Sequence, residues 1–311
     1  MLESMKVLGF IPESKAIKLY KNADGKVVGE RYDKVTYLRE FLNFTLEGEG
    51  GCYVEAESFL SLLPFISRAT IKENYLEVVL KNGAEYKFSY MEVEFSAPKI
   101  EPPTLEIKGE IDFSTLKKTA LQNLVKPEMR CIYVDNNGAV SCNFLQGTVD
   151  RGIISRSPVL LPPDLVDYIP AGHVEIYKGG DMLFYTDTES KFIWSPAGDF
   201  MESDEAPWYN SIYEQAMGAQ AMEFSPVQEG MEESLKRLSL FGKEAVFNST
   251  KVVVGNSYEP VSIPSARGQV FDLEEVIPVI SSAKEMVLSE DGTMFLKNGE
   301  VTILVSAKEE E

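Results

Sequence analysis

Apolar and polar positions follow one pattern in three short segments of the chain. Residues 54–66, 160–169 and 270–280 each begin with an apolar strand end, pass a polar residue suited to capping a helix, and continue as an amphipathic stretch. Their first residues lie about 106 and 110 positions apart, a spacing that indicates an internal repeat. We therefore predict one short helix in each of three related units.

Each predicted helix is followed by three short runs in which apolar and polar residues alternate, which is typical of strands with one buried face. Pairs of residues that favour tight turns separate the runs: Glu73-Asn74, Asn82-Gly83, Gly179-Gly180, Asp291-Gly292 and Asn298-Gly299. The repeated unit is therefore predicted to be a helix followed by a three-stranded meander.

A second kind of helical segment precedes two of these units. Residues 111–125 and 222–242 share an apolar–acid–Phe–Ser beginning and then adopt helical spacing. In the later segment, Ser225 is a candidate cap, Pro226 suits the first helical position and Gln228 can reach back to the cap. We predict a helix that starts there, and strands after both segments.

The first hundred residues fit this scheme least well. Residues 16–22 and 26–33 have strand patterns, whereas residues 33–44 fit a helix as well as a strand. The helical alternative rests on Val35, Leu38, Phe41 and Leu42, which recur at helical spacing. The first repeat is thus predicted to be partly atypical.

The repeats predict an α+β protein of three similar domains, residues 1–106, 107–212 and 213–311. Each domain contains two copies of a helix followed by antiparallel strands, and the boundaries fall at a proline-containing linker and in an acidic stretch after Gly198. Such a chain can form an arc with strands joined edge to edge outside and helices inside. The two sheet edges left over are satisfied if two copies close head to tail into a ring.

Composition narrows the class of protein. With 30 Lys+Arg against 49 Asp+Glu, the net charge of −19 argues against a simple nucleic-acid binder unless basic residues gather on one face. The three cysteines Cys52, Cys131 and Cys142 form no C-x-x-C pair, so we predict reduced thiols and no metal site. We find neither a leader pattern nor an apolar run of about 18 residues, and expect a cytoplasmic protein without membrane contact.

Sequence motifs for catalysis or cofactor binding are not found. The single histidine, His173, begins a predicted strand, and the chain has no G-x-S-x-G, Walker-type or G-x-G-x-x-G sequence. We therefore predict a protein that is not an enzyme and binds no cofactor.

The stretches 148–169, 174–200 and 206–212 resemble the central domain and exit segment of one family, the bacterial-type sliding clamp, with phage versions included. The resemblance extends over most of residues 107–212, over 222–307 and over 53–90. Residues 147–153 depart from the family's Ala-Thr-Asp-x-His-Arg-Leu-like run, and an acidic tail replaces its Met-Pro-Met-like end. The shorter chain suggests a virus-encoded form.

This resemblance implies a function and partners. A sliding clamp is a homodimeric ring that encircles duplex DNA without sequence specificity, tethers a DNA polymerase, and is opened by an ATP-driven clamp loader. Basic residues on or at the ends of the helices are the implied DNA-facing set: Arg68, Lys72, Lys117, Lys118, Lys126, Arg130, Lys236, Arg237, Lys243 and Lys284. They fit an ordinary solvated surface equally well, and Lys236 can pair with Glu232 four residues earlier.

A partner-peptide pocket between the second and third domains is also implied. Residue-by-residue matching places it at Thr148, Asp150, Arg151, Ile153, Ile303, Leu304 and Val305, which are alternatively plain core. Trp208 and Tyr209 are predicted to anchor the segment that joins these domains.

Two alternatives remain open from the sequence. The repeats also suit a modular β-rich structural or adaptor protein, such as a virion component, which would form open oligomers. The second alternative is a trimeric clamp to which the N-terminal hundred residues have been added.

Overall fold

The architecture comes from a computed structural model that describes residues 15–33, 36–93, 95, 103–121, 131–143, 145–161, 165–166, 169, 171–180, 182–186, 191–196 and 207–308. Its contacts divide the chain into two compact units. Unit 1 comprises residues 1–110 and 167–197, and unit 2 comprises residues 111–166 and 198–311.

Five helices can be delimited in the described residues. They are α1 (Ala56–Leu62), α2 (Ser114–Leu121), α3 (Pro207–Ala219), α4 (Met231–Ser239) and α5 (Leu273–Ile280), with a 3₁₀ turn at Leu63–Phe65. No helix in the described ranges is long and apolar enough to cross a membrane.

The described residues of unit 1 contain twelve strands in two sheets. In chain order they are β1 (Ala16–Lys21), β2 (Val27–Tyr32), β3 (Tyr37–Leu42), β4 (Thr45–Glu47), β5 (Gly51–Glu55), β6 (Ile66–Ile71), β7 (Tyr75–Leu80), β8 (Glu85–Ser89), β9 (Thr104–Ile111), β14 (Gly172–Gly179), β15 (Met182–Thr186) and β16 (Lys191–Pro196).

 Eight of these strands lie in the sheet ordered β5-β1-β2-β3-β16-β15-β14-β9, and four lie in the sheet ordered β4-β6-β7-β8.

Unit 2 contains the other twelve strands, again eight in one sheet and four in another. They are β10 (Ile132–Val134), β11 (Ala139–Cys142), β12 (Gln146–Asp150), β13 (Val159–Leu161), β17 (Ser225–Pro226), β18 (Glu244–Asn248), β19 (Lys251–Val254), β20 (Ser257–Pro260), β21 (Arg267–Asp272), β22 (Glu285–Leu288), β23 (Thr293–Asn298) and β24 (Val301–Ser306). The larger sheet has the order β13-β10-β11-β12-β24-β23-β22-β17, and the smaller one β20-β19-β18-β21.

Helix α1 begins in unit 1 where Glu55 caps it. The Glu55 carboxylate accepts the backbone N–H groups of Glu57 and Ser58 at 2.9 and 2.7 Å, which satisfies two donors of the first turn. The helix buries Ala56 and Phe59. Its predicted position is confirmed.

The alternative of a helix at residues 33–44 is wrong, because residues 37–42 form β3. Leu38 and Leu42 are buried while Arg39 is exposed, and β3 pairs antiparallel with β2 on one side and β16 on the other. Hydrogen bonding to a neighbouring strand on each edge fixes residues 37–42 as a central strand. These tertiary contacts override the helical spacing of the apolar residues.

The three predicted meanders are confirmed as β6–β8, β14–β16 and β22–β24. The predicted helix of the third sequence repeat is confirmed as α5. It is capped by the Asp272 carboxylate, which accepts the Glu274 N–H at 2.9 Å. In the second sequence repeat, Leu165 and Val166 are helical, and most of the rest of the predicted helix lies outside the described residues.

The predicted start of the helix at Ser225 is wrong. Ser225 and Pro226 form the short strand β17, and α4 begins at Met231 after Gly230, whose φ of 77° is left-handed. The Gln228 side chain accepts the Ser262 N–H at 2.8 Å instead of reaching back to a cap. Pairing of β17 with β22 therefore replaces the first predicted turn of helix.

The larger sheet of unit 2 joins strands that are distant in sequence. Strand β12 pairs antiparallel with β24, from Gln146 opposite Val305 to Asp150 opposite Val301. The predicted second domain thus supplies strands to unit 1 (β14–β16) and to unit 2 (β10–β13). The division into domains ending at 106 and 212 remains a prediction.

Successive residues of strand β24 pack into two different hydrophobic cores. Ile303 and Val305 belong to the core that contains α4 and α5, whereas Leu304 belongs to a second core beneath α3. Alternation of side chains along a strand explains the separation. The sheet is therefore covered on both faces.

Candidate nucleic-acid interface and partner site

The predicted DNA-facing residues occupy several kinds of position. Lys117 and Lys118 lie on α2, and Lys236 and Arg237 lie in the last turn of α4. Lys126 and Arg130 lie outside the described residues.

The helical placement of the other four basic residues is wrong. Arg68 lies in β6 and Lys72 directly follows it, because the β-branched sequence after Pro64 forms a strand. Lys243 and Lys284 directly precede β18 and β22. That these four basic residues face DNA remains a prediction.

Carboxylates hold the two basic residues of α4. The Lys236 ammonium lies 2.5 Å from Glu232, and the Arg237 guanidinium donates two hydrogen bonds to Glu259 at 2.8 and 2.9 Å. The bond to Glu232 raises the pKa of Lys236. These pairs are exposed, so they contribute little to stability, but each neutralises a cation that DNA phosphates would otherwise attract.

Three further candidates also have acidic partners: Arg68 with Glu47 at 3.9 Å, Lys72 with Glu77 at 3.6 Å, and Lys243 with Glu274 at 2.8 Å. Lys118 and Lys284 are exposed and form no ion pair with a carboxylate of the described ranges. The candidate surface therefore offers few uncompensated positive charges.

The predicted pocket residues meet at the junction of β12 and β24. Thr148 is directly opposite Ile303, and Asp150 is opposite Val301. Thr148, Ile153, Ile303, Leu304 and Val305 are each less than 5% exposed. The structure thus brings the two halves of the set together and buries its apolar members.

Asp150 and Arg151 form the polar end of this set. Asp150 Oδ1 accepts the Gly152 N–H at 2.8 Å, and burial raises the pKa of the Asp150 carboxyl, with Glu300 contributing in the same direction. The Arg151 guanidinium lies 2.6 Å from the Glu300 carboxylate. Arg151 is half-exposed, so this end of the set is the part open to solvent.

Comparison with known proteins bears on the fold. No family model and no curated protein matches the chain. Among solved structures, the Helicobacter pylori beta clamp bound to a DNA ligase peptide matches with a TM-score of 0.73 at 12% identity, covering 98% of this chain and 97% of that one. This chain has the sliding-clamp fold.

Two other bacterial structures agree. The DNA polymerase sliding clamp from Pseudomonas aeruginosa with ligand has a TM-score of 0.70 at 14% identity, covering 99% of this chain and 97% of that one. A putative DNA polymerase III beta subunit from Eubacterium rectale has a TM-score of 0.70 at 12% identity, with 99% and 96% covered. The predicted α+β clamp fold is confirmed.

Helix α3 is the element of this clamp fold that sequence reasoning missed. Its buried or half-buried face consists of residues at helical spacing: Tyr209, Ile212, Tyr213, Ala216 and Ala219. That spacing, together with Pro207 at the first helical position, was a usable signal. Tyr209 is confirmed as an anchor, with its ring centroid 4.0 Å from that of Tyr133; the Trp208 side chain lies outside what the structure describes.

Two unlike surfaces of the clamp fold expose apolar groups beside a sheet edge. In unit 1, an open cavity of about 620 Å³ lies between α1 and β8, lined in part by Leu62, Tyr86 and Phe88. In unit 2, Leu240 and Phe241 follow α4 and are 81% and 67% exposed, and Tyr258 on the edge strand β20 is 66% exposed. Large apolar side chains with this degree of exposure are candidates for an interaction surface.

Proposed function

We propose that this protein is a DNA polymerase processivity factor, a sliding clamp that encircles duplex DNA without sequence specificity. The observation that carries the proposal is the likeness to bacterial clamps over nearly the full length of both chains. The role is not enzymatic. The polymerase and an ATP-driven clamp loader are the proposed partners, in the cytoplasm of a bacterial or phage-infected cell.

Ring closure by two copies head to tail is part of the proposal. Strand β8 is an edge of the smaller sheet of unit 1, and β20 is an edge of the smaller sheet of unit 2. Pairing of β8 with β20 of a second copy satisfies both edges, and the cavity beside β8 receives Leu240 and Phe241. Because the two surfaces differ, the contact is heterologous, and two such contacts close a ring.

DNA is proposed to lie against the basic residues of α2 and α4. Encirclement requires only weak attraction, since the ring is held topologically and must slide. The ion pairs of Lys236 and Arg237 fit this requirement, because DNA phosphates must compete with carboxylates already in place. Lys118 supplies an uncompensated charge on α2.

A polymerase peptide is proposed to bind near the β12–β24 junction. Asp150 and Arg151 are the predicted pocket residues nearest the surface. Thr148 and the apolar residues of the set, Ile303 among them, are buried, so a peptide contacts them only if the residues that cover them move.

The test is retention on circular and linear DNA after loading. Slow loss from a nicked circle and rapid loss after the circle is cut, from a species twice the chain mass of 34.8 kDa, is the expected result. A catalytically active loader and polymerase should be present. Equal loss from both forms of DNA contradicts encirclement and favours the structural or adaptor alternative.

A further inference from the structure

We propose that an open cleft in unit 2, between the outer edge of β22 and the start of β21, binds a partner-protein segment in which a large apolar side chain lies next to a carboxylate. The cleft has a volume of about 560 Å³ and is lined in part by Phe224, Arg267 and Leu288. Its described lining includes none of the residues predicted for the partner-peptide pocket. The inference stands on unit 2 alone and holds whether or not the protein encircles DNA.

The cleft exists because β17 is too short to cover the edge of β22. Strand β17 has only two residues, and its pairing with β22 ends opposite Met286. Further along β22, side chains take the place of a neighbouring strand. Ser265 Oγ accepts the Leu288 N–H at 2.9 Å, and Gln269 Nε2 donates to the Ser289 carbonyl oxygen at 3.2 Å. The cleft therefore offers a ligand its side chains rather than an unpaired strand edge.

The apolar wall of the cleft combines a fixed ring with an adaptable side chain. Phe224 is half-buried, packs against the core beneath α3, and has the Lys297 ammonium 5.5 Å from its ring centroid. Met222, which also lines the cleft, is 37% exposed. Because an unbranched thioether adapts to differing shapes, this wall suits an aromatic or aliphatic side chain of a partner.

Arg267 forms the polar wall, and the backbone holds its side chain in place. Its Nη1 donates to the carbonyl oxygens of Pro264 and Ala266 at 2.6 and 2.9 Å. Its Nε and Nη2 donate to no described residue, and no carboxylate of the described ranges forms an ion pair with the guanidinium. Because the side chain is already fixed, it loses little entropy when these nitrogens bind a carboxylate.

Ser265 supplies a second donor, two residues from Arg267. Its oxygen accepts the Leu288 N–H, and its own hydroxyl proton has no acceptor among the described residues, so it is free to donate to a ligand. Glu223 and Glu290 also line the cleft but are exposed and bond to neither donor. They disfavour an anion elsewhere in the cleft, which confines a carboxylate to the Arg267 end.

These features favour a protein segment over DNA. A phosphate backbone presents a row of charges and no apolar side chain, and Glu223 and Glu290 would repel the phosphates next to one held by Arg267. A peptide brings one carboxylate to Arg267 and places the neighbouring side chain against Met222 and Phe224. Apolar anchoring combined with a single charged contact is typical of peptide recognition.

Two short peptides test the site on the full-length chain by NMR titration. One probe is the N-acetylated, C-amidated peptide Gly-Phe-Asp-Gly, and the matched probe has Asn in place of Asp. Isotope labelling of the methionine methyl groups reports contact at Met222, whose signal is assigned by its absence from M222E. We expect the Asp peptide to shift the Met222 signal with a Kd of about 1 mM and the Asn peptide to bind about tenfold more weakly.

Variants locate the two halves of the site. R267Q should bind both peptides equally weakly, whereas R267K, which keeps the charge but not the planar guanidinium, should retain only part of the preference for Asp. The matched control R156Q, at another exposed arginine of unit 2, should bind as the wild-type chain does. M222E places a charge on the exposed apolar wall and should weaken both peptides about equally.

Urea midpoints close to that of the wild-type chain show that each variant is folded. If R267Q does not fold, R267K decides, and an undiminished preference for Asp in the folded variant overturns the proposal. The same conclusion follows if the wild-type chain binds the two peptides equally or not at all, or if only other methionine signals shift. A stronger response of Met222 to a duplex DNA oligonucleotide than to the Asp peptide would assign the cleft to DNA instead.

Discussion

The side-chain oxygens of Thr119 and Thr148 lie 2.7 Å apart, joining α2 to β12 in the buried interior of unit 2. Thr119 Oγ1 also lies 3.4 Å from the Thr115 carbonyl oxygen, a weaker contact within the helix. Thr148 was placed in the partner pocket by resemblance, but its hydroxyl is committed to α2. Its immediate role is to hold the helix on the sheet.

A double-mutant cycle measures this contact. T148V should lower the free energy of unfolding by about 1–2 kcal/mol, since it removes a hydrogen bond between buried groups. The double variant T119V/T148V should lose less than the sum of the single variants, because neither hydroxyl is left without its partner. Urea denaturation gives all four values, and strict additivity contradicts the coupling.

Asp150 should make stability depend on pH. Its folded-state pKa is raised by burial, so its favourable contribution is complete below the ordinary value of 3.8 and is lost as pH rises through the raised value. D150N keeps an oxygen that can accept the Gly152 N–H. The variant should therefore unfold at higher urea than wild type at pH 7, with the difference shrinking below pH 4.

The matched control for this prediction is D24N. Asp24 lies in the exposed turn between β1 and β2, so D24N removes the same charge from a solvent-exposed position and should not raise the urea midpoint at pH 7. A D150N profile parallel to that of wild type, with no convergence in acid, argues against a raised pKa.

Lys118 should contribute to retention on DNA. Reversing its charge in K118E should shorten the lifetime on a nicked circle several-fold at low salt, and the effect should fade as salt rises. K21E, with the same change of charge on β1, serves as the control. Identical lifetimes for K118E and K21E at low salt would exclude α2 from the DNA-facing surface.

Leu240 and Phe241 should determine self-association. Both are largely exposed in the single chain, so L240A/F241A should cost the monomer little stability while shifting the measured mass from a dimer toward 34.8 kDa. I154A replaces another exposed apolar residue of unit 2 and should leave the mass unchanged. Analytical ultracentrifugation distinguishes these outcomes, and a dimer that survives L240A/F241A places the contact elsewhere.

Much of the fold was predictable because its signals are local. The Glu55 and Asp272 caps, the turn at Asn82-Gly83 and the alternation along the meanders all act within a few residues of one another. The clamp fold itself followed from the repeat of these local units and the family resemblance they carry.

The errors arose where tertiary contacts decide. Residues 37–42 form a strand because β2 and β16 pair with both edges of β3, and Ser225 joins a sheet through β22, 61 residues away. The burial of Thr148 and Ile303 likewise depends on the pairing of β12 with β24, which no local pattern encodes. The partner pocket was therefore the least predictable part of the site.

That same pairing has a consequence for synthesis of the chain. Strand β12 is complete at residue 150, but its neighbour β24 spans residues 301–306, so the ribosome must add about 150 residues before the two can meet. Until then the nascent protein carries an unpaired β12 edge, open to strands of other chains. Chaperone demand should thus be greatest late in translation, and ribosomes stalled before residue 301 should yield the most aggregation-prone species.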